Sequence, residues 1–148
     1  MKTIMLIFSM SISFQIVFAQ ETVVTYKVTN FEINGRNYDN EALENDIALS
    51  FYICDADTLC FANHWRNSDS RSYGVVYSPK LKEIPETSET FRADEIKFTW
   101  YYFNDYDRKH GEAAVTFTII FIGNSVKFHA EILVLKTNEL LIMEGYQE

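Results

Sequence analysis

Apolar and polar positions alternate along most of this chain. Ile47, Leu49, Phe51 and Ile53 share one parity, with Ala48, Ser50, Tyr52 and Cys54 on the other. Ile96, Phe98, Trp100 and Tyr102 alternate with Lys97, Thr99, Tyr101 and Phe103. Val115, Phe117, Ile119 and Phe121 alternate with Ala114, Thr116, Thr118 and Ile120. A period of two in β-branched and aromatic residues marks strands with one buried face. Helical spacing lasts no more than a turn or two, and the best candidate is Asn40 to Asn45. The pattern predicts about eight strands, at 22–33, 46–54, 59–66, 72–78, 95–103, 112–122, 125–135 and 139–146. One long connection, Pro79 to Asp94, is rich in Lys, Glu, Thr and Ser. This order predicts an all-β antiparallel sheet, either a sandwich or an up-and-down, lipocalin-like barrel.

Turn signals fix several registers. Gly123-Asn124 fits a two-residue hairpin loop. It sets Phe121 opposite Val126, Ile119 opposite Phe128, Phe117 opposite Ala130 and Val115 opposite Ile132, so one face is apolar and the other polar. Thr137-Asn138 closes the next hairpin, with Val134 expected opposite Leu141. Asn34-Gly35 is a third tight turn. The apolar parity switches between Val28 and Phe31, which predicts a bulge near Thr29 and Asn30.

Both cysteines lie in ICDADTLCFANHW, Ile53 to Trp65. Placing Cys54 opposite Cys60 also places Ile53 opposite Phe61, Leu49 opposite Trp65 and Ser50 opposite His64. The apolar residues then share one face and the cysteines the other, which predicts a cross-strand disulfide. A loop this short contributes about 2–2.5 kcal/mol. A redox pair is usually C-x-x-C at a helix start. An EF-hand loop fails at Leu59 and Cys60. Zinc usually takes four ligands, and Cys54, Cys60 and His64 supply fewer.

The opening MKTIMLIFSMSISFQIVFAQ reads as a secretory signal over residues 1–19. Lys2 forms the basic end, Ile4 to Phe18 is apolar, and Val17-Phe18-Ala19 suits cleavage after Ala19. Residues 20–148 are then expected to form a single all-β domain. No later stretch is long and apolar enough to span a bilayer, so no membrane insertion is expected after cleavage. An exported, periplasmic or extracellular location suits a disulfide. The chain carries 13 basic and 21 acidic side chains, a net charge of −8. That balance repels phosphate backbones and argues against a nucleic-acid partner.

Candidate chemistry is sparse, and no cofactor or metal is expected. Asp105, Asp107, His110 and Glu112 cluster between two strands, but Arg108 and Lys109 sit among them and oppose a cation. The simpler reading is a solvated loop with Gly111 at a positive φ. His64, His110 and His129 form no readable constellation, although His64 and His129 share the polar parity of their strands. No nucleophile elbow, zinc-protease motif, P-loop or dinucleotide fingerprint occurs. Aromatic residues are the richest feature. Trp100-Tyr101-Tyr102-Phe103 puts rings on both faces of one strand. Tyr101 and Phe103 fall on the face opposite the core, and so do Leu133, Leu135, Leu140 and Ile142 on the last hairpin. These six residues form the candidate binding surface, for a small apolar molecule in a barrel or for a protein partner. The alternative is a secreted hydrolase of envelope or extracellular glycans, which requires two placed carboxylates.

Two stretches, KFTWYYFNDYDRKHGEAAVTF (Lys97 to Phe117) and LLIMEGYQE (Leu140 to Glu148), resemble stretches of short exported bacterial proteins of unknown function. The resemblance spans about the last third of the chain and implies export. It carries no activity. The G-x-W that opens lipocalins does not occur near the first strand.

Overall fold

The computed structural model describes residues 22–55 and 57–148; the expected signal segment 1–19 lies outside them. The elements in chain order are β1 (Thr22–Ile33), β2 (Arg36–Asn37), α1 (Asp39–Glu44), β3 (Ile47–Cys54), β4 (Thr58–Trp65), β5 (Ser70–Ile84), β6 (Ala93–Asn104), β7 (Lys109–Ile122), β8 (Ser125–Val134) and β9 (Glu139–Gln147). From β3 onward each strand pairs antiparallel with the next, and β1 pairs with β3 on one side and β9 on the other. The result is a closed up-and-down barrel of eight strands, lipocalin-like in connectivity, with β2 as a short flap on β1. Of the two architectures the alternation allows, the chain takes the barrel.

Closure follows from the size of the inward side chains. An eight-stranded barrel is just wide enough for side chains to fill. Phe117 stands at the centre of that filling. Its ring lies 4.9 Å from Tyr26, 5.1 Å from Phe51 and 5.3 Å from Phe128, the last stacked on it. Phe61 links this group to Phe98 and Trp100 at 5.5 and 5.0 Å. The Trp100 indole N–H donates to the Phe61 carbonyl at 3.0 Å, so its one polar atom is satisfied inside. At the end where β1 stops and β3 begins, α1 adds Ala42 to the core. Phe31 meets Tyr38 and Trp65 there, at 5.9 and 6.5 Å between ring centres.

Eight strands lie where the alternation places them. The β7–β8 register matches the expected pairs, from Phe121 with Val126 to Val115 with Ile132. The Asn34-Gly35 turn joins β1 to β2, and the β1–β9 ladder shifts register between Val28 and Asn30. Four expectations need correction. First, β5 runs past Tyr77 to Ile84, and only 85–92 connects it to β6. Its ladder shifts between Tyr77 and Lys80, and the shift accommodates Pro79, which has no N–H to give. Second, Val134 pairs with Glu139 and Leu141 with Ile132, because Asn138 takes a positive φ of 56° and tightens the turn. Third, Cys54 pairs with Thr58 and Cys60 with Tyr52, so the hairpin is closed one pair earlier than expected. The cysteines lie diagonally, 6.1 Å apart at Cα, and still form the disulfide.

The fourth correction concerns Gly111. It lies in β7 without a positive φ, and Arg108 takes the left-handed position of the turn at 59°. Gly111 answers a different demand. Tyr102 stands between Gly74 and Gly111 on its two neighbouring strands. The Tyr102 ring occupies the space that a side chain at Gly111 would need, and the Tyr101 carbonyl occupies that of Gly74.

Candidate functional site

The barrel has an unusual outer face. Strand β6 turns Ile96, Phe98 and Trp100 inward to burial and Tyr101 outward. Strand β5 beside it turns Tyr73, Val75 and Tyr77 outward, at 37, 40 and 59% exposure, with Tyr101 at 46%. The pairing explains why they gather. Tyr52 on β3, Cys60 on β4, Val75 on β5, Tyr101 on β6 and Glu112 on β7 form one row across five strands. The next row toward the β6–β7 turn runs Ala62, Tyr73, Phe103 and His110. Cys60 and Gly74, both small, lower the floor, and rings stand on both sides.

Tyr52, Cys60, Tyr73, Val75, Tyr101, Phe103 and His110 line an open groove of about 530 Å³, and Tyr77 and Glu112 adjoin Tyr101 outside that lining. The rings of this face meet edge to face, Tyr73 with Phe103 at 6.0 Å and Tyr77 with Tyr101 at 5.8 Å. His110 lies 5.0 Å from Phe103. The Cys54–Cys60 disulfide forms part of the wall and fixes β3 to β4 beneath Tyr52. Two charged groups act on the rings. The Arg71 guanidinium stands 5.5 Å over Tyr73. Glu112, directly across from Tyr101, pushes the pKa of that hydroxyl up.

Tyr101 and Phe103, expected from the sequence, thus belong to this groove. Leu133, Leu135, Leu140 and Ile142 lie on the same outer side, on β8, β9 and their turn. Leu133 pairs with Leu140 on one side and with Ala114 on the other, and Ala114 pairs with Thr99, next to Tyr101. The groove and the leucines therefore lie on one largely apolar band of the outer surface from β3 to β9, joined through Thr99 and Ala114. Leu135 is its most exposed aliphatic member at 47%. Sequence reasoning missed Tyr52, Val75, Tyr77 and the disulfide wall. Their outward parity was readable, but the strand order that brings them beside Tyr101 was not.

The other candidates resolve into structural roles. In the β6–β7 turn, the Asn104 side-chain oxygen accepts from the Tyr106 and Asp107 N–H groups. Asp105 accepts from the Arg71 N–H at 2.7 Å. These are turn-forming bonds. His64 pairs with Asp69 at 3.3 Å, and His129 with Glu144 at 2.8 Å, on strands β4 and β8, which are not neighbours. Asp46 receives Lys27 at 2.6 Å and Arg66 at 2.9 Å, and Arg66 also holds Glu148 at 2.6 Å. Hydrogen bonds from Arg66 and then Lys27 bring the Asp46 carboxyl down to about 2. This network ties β1, β3, β4 and residue 148 together. Among the described residues, no group of three or more His, Cys, Asp or Glu side chains is placed to hold a metal ion.

Inside the barrel, Asp94 is buried on the core parity of β6, and its Oδ1 has no hydrogen-bond partner among the described residues. Burial pushes its pKa up, Glu83 adds to this, and Arg92 opposes it.

No protein family model matches this chain, no curated protein matches it, and no solved structure matches it.

Proposed function

We propose that this chain is an exported, non-catalytic binding protein that engages a protein partner through the outer apolar band. One observation carries the reading: the rings of Tyr26, Phe51, Phe61, Phe117 and Phe128 fill the barrel, while Tyr73, Val75, Tyr77 and Tyr101 face water. The small-molecule version needs an apolar space within the barrel, and side chains occupy that space. Contiguous exposed apolar surface on a folded domain marks an interaction site. Tyrosine suits such a surface, because its ring is apolar and its hydroxyl stays wet. Export is supported by the signal-like opening and by the Cys54–Cys60 disulfide, which persists in oxidising compartments. Among the described residues no helix is long and apolar enough to cross a membrane. The hydrolase alternative gains nothing from the groove, whose lining contains no carboxylate.

The test is native mass spectrometry of the mature chain from its own source, with a photo-crosslinking residue at Tyr77 or, as control, at Glu89 in the 85–92 connection. A discrete protein adduct from position 77 and none from position 89 is the expected result. A bound small molecule, released on denaturation and retained in a Tyr77→Ser, Tyr101→Ser variant, overturns it.

A further inference from the structure

The band is apolar, yet one carboxylate stands within it. Glu112 is exposed and sits across from Tyr101, and Tyr101 meets Tyr77 at 5.8 Å with ring planes 70° apart. Among the described residues, no Lys, Arg or His lies within ion-pair distance of the Glu112 carboxylate. Two nearly perpendicular rings beside a carboxylate are the arrangement that receives an organic cation. The ring faces are electron-rich, and the carboxylate supplies the counter-charge.

The same face already displays that chemistry, built from its own side chains. Next along β5, Arg71 stands 5.5 Å over the Tyr73 ring and 3.8 Å from the Asp105 carboxylate. Tyr73 in turn meets Phe103 edge to face at 6.0 Å. Ring pair, guanidinium and carboxylate are all present there. At Tyr77, Tyr101 and Glu112 the chain contributes the ring pair and the carboxylate. The chain's net charge of −8 draws a basic partner from a distance as well.

We infer that this outer face receives an arginine-bearing segment of a partner protein, with the guanidinium laid over the outward side of the Tyr77–Tyr101 pair and hydrogen-bonded to Glu112. Arginine fits better than lysine, because a planar guanidinium stacks on a ring and donates to a carboxylate at the same time. Side chains carry the specificity. Strand β5 pairs with β4 only through residues 70–75, so residues 76–84 leave an open strand edge at Tyr77, along which the partner's backbone can lie. Apolar residues flanking the arginine then rest on Val75, Phe103 and the disulfide.

This inference rests on the protein-partner reading, and one experiment separates the two. A random 12-residue peptide display library is selected on the immobilised, oxidised chain. The recovered peptides are then measured by calorimetry against wild type, Glu112→Gln and the Tyr77→Ser, Tyr101→Ser double variant. All three substituted positions are exposed, and a thermal melt confirms that each variant is folded. The expected result is enrichment of arginine over the library, binding lost in the double variant, and binding weakened about 10-fold by Glu112→Gln. Tyrosine-dependent peptides without arginine enrichment, or indifferent to Glu112→Gln, overturn the arginine inference and leave the partner reading standing. Absence of any peptide whose binding depends on Tyr77 and Tyr101 overturns both.

Discussion

The two faces of β6 carry the same kinds of ring and serve opposite ends. Trp100 is buried, with its indole N–H satisfied by the Phe61 carbonyl, and Tyr102 packs 4.6 Å from it. Tyr101 and Phe103, alternating with them, point outward into the groove. In an ordinary barrel strand the outer positions are polar, and Glu95 and Lys97 at the start of β6 follow that rule. The departure begins at Tyr101 and coincides with the groove. Inside, a ring is held by removal from water and by dense contact with other rings. Outside, a ring loses part of that gain and adds a risk of aggregation, so its presence there calls for a partner.

The contrast predicts a ranking of substitutions. The largest effect falls on the inner face. Phe117→Ala removes the ring at the centre of the stack and should destabilise by about 3–5 kcal/mol, read as a lowered urea midpoint. A midpoint within experimental error of wild type would show that the barrel is not packed as described.

An intermediate effect of opposite sign is expected at Asp94, the buried carboxyl of that interior. Its folded-state pKa is raised, chiefly by burial, so the folded protein holds the proton more tightly than the unfolded chain. Its contribution to stability is therefore complete below the ordinary carboxylate pKa, and is lost as pH rises through its own raised value. Asp94→Asn removes the charge while keeping the shape. It should stabilise by about 1 kcal/mol at neutral pH and leave the protein unchanged at low pH, measured as Tm against pH. Equal shifts at both pH values would remove the charge from the explanation.

The smallest effect on stability belongs to the outer face. Tyr77→Ser should change the unfolding free energy by less than about 0.5 kcal/mol. The same substitution should weaken binding of the selected peptides about 10-fold or more, so stability and binding part company at this position. Loss of both together would make the outer rings part of the fold.

Much of this architecture is legible in the chain because period two needs only neighbouring residues. The alternation around Phe98, Phe117 and Ile119 gave strands and faces, and Gly123-Asn124 gave a register correct to the residue. Registers set by longer turns slipped. A turn beginning at Asp55, with its φ of 46°, admits either the observed pairing or the one displaced by a single pair, and both keep Phe51 and Phe61 inside. The β5 extension was hidden for a different reason. Lys80, Lys82 and Glu83 are exposed, so that part of the strand carries little apolar signal. The groove was half visible. Tyr101 and Phe103 stand out on their own strand, whereas Tyr52, Val75 and Tyr77 join them only through the order of strands, which no local pattern encodes.

The seam between β1 and β9 also sets a timetable. Every other ladder of the barrel joins strands that follow one another closely in the chain, so each can zip up as soon as both halves have been made. The seam alone brings Ile33 to Leu141 and Tyr26 to Gln147. Until β9 arrives, the nascent protein is an open curled sheet with β1 and β8 as raw edges and the rings around Phe117 wet on one side. Pairing across such distance in sequence is the slow step of a β-fold. That interval is when this chain is most open to capture by a second copy of itself, and when a chaperone has most to do.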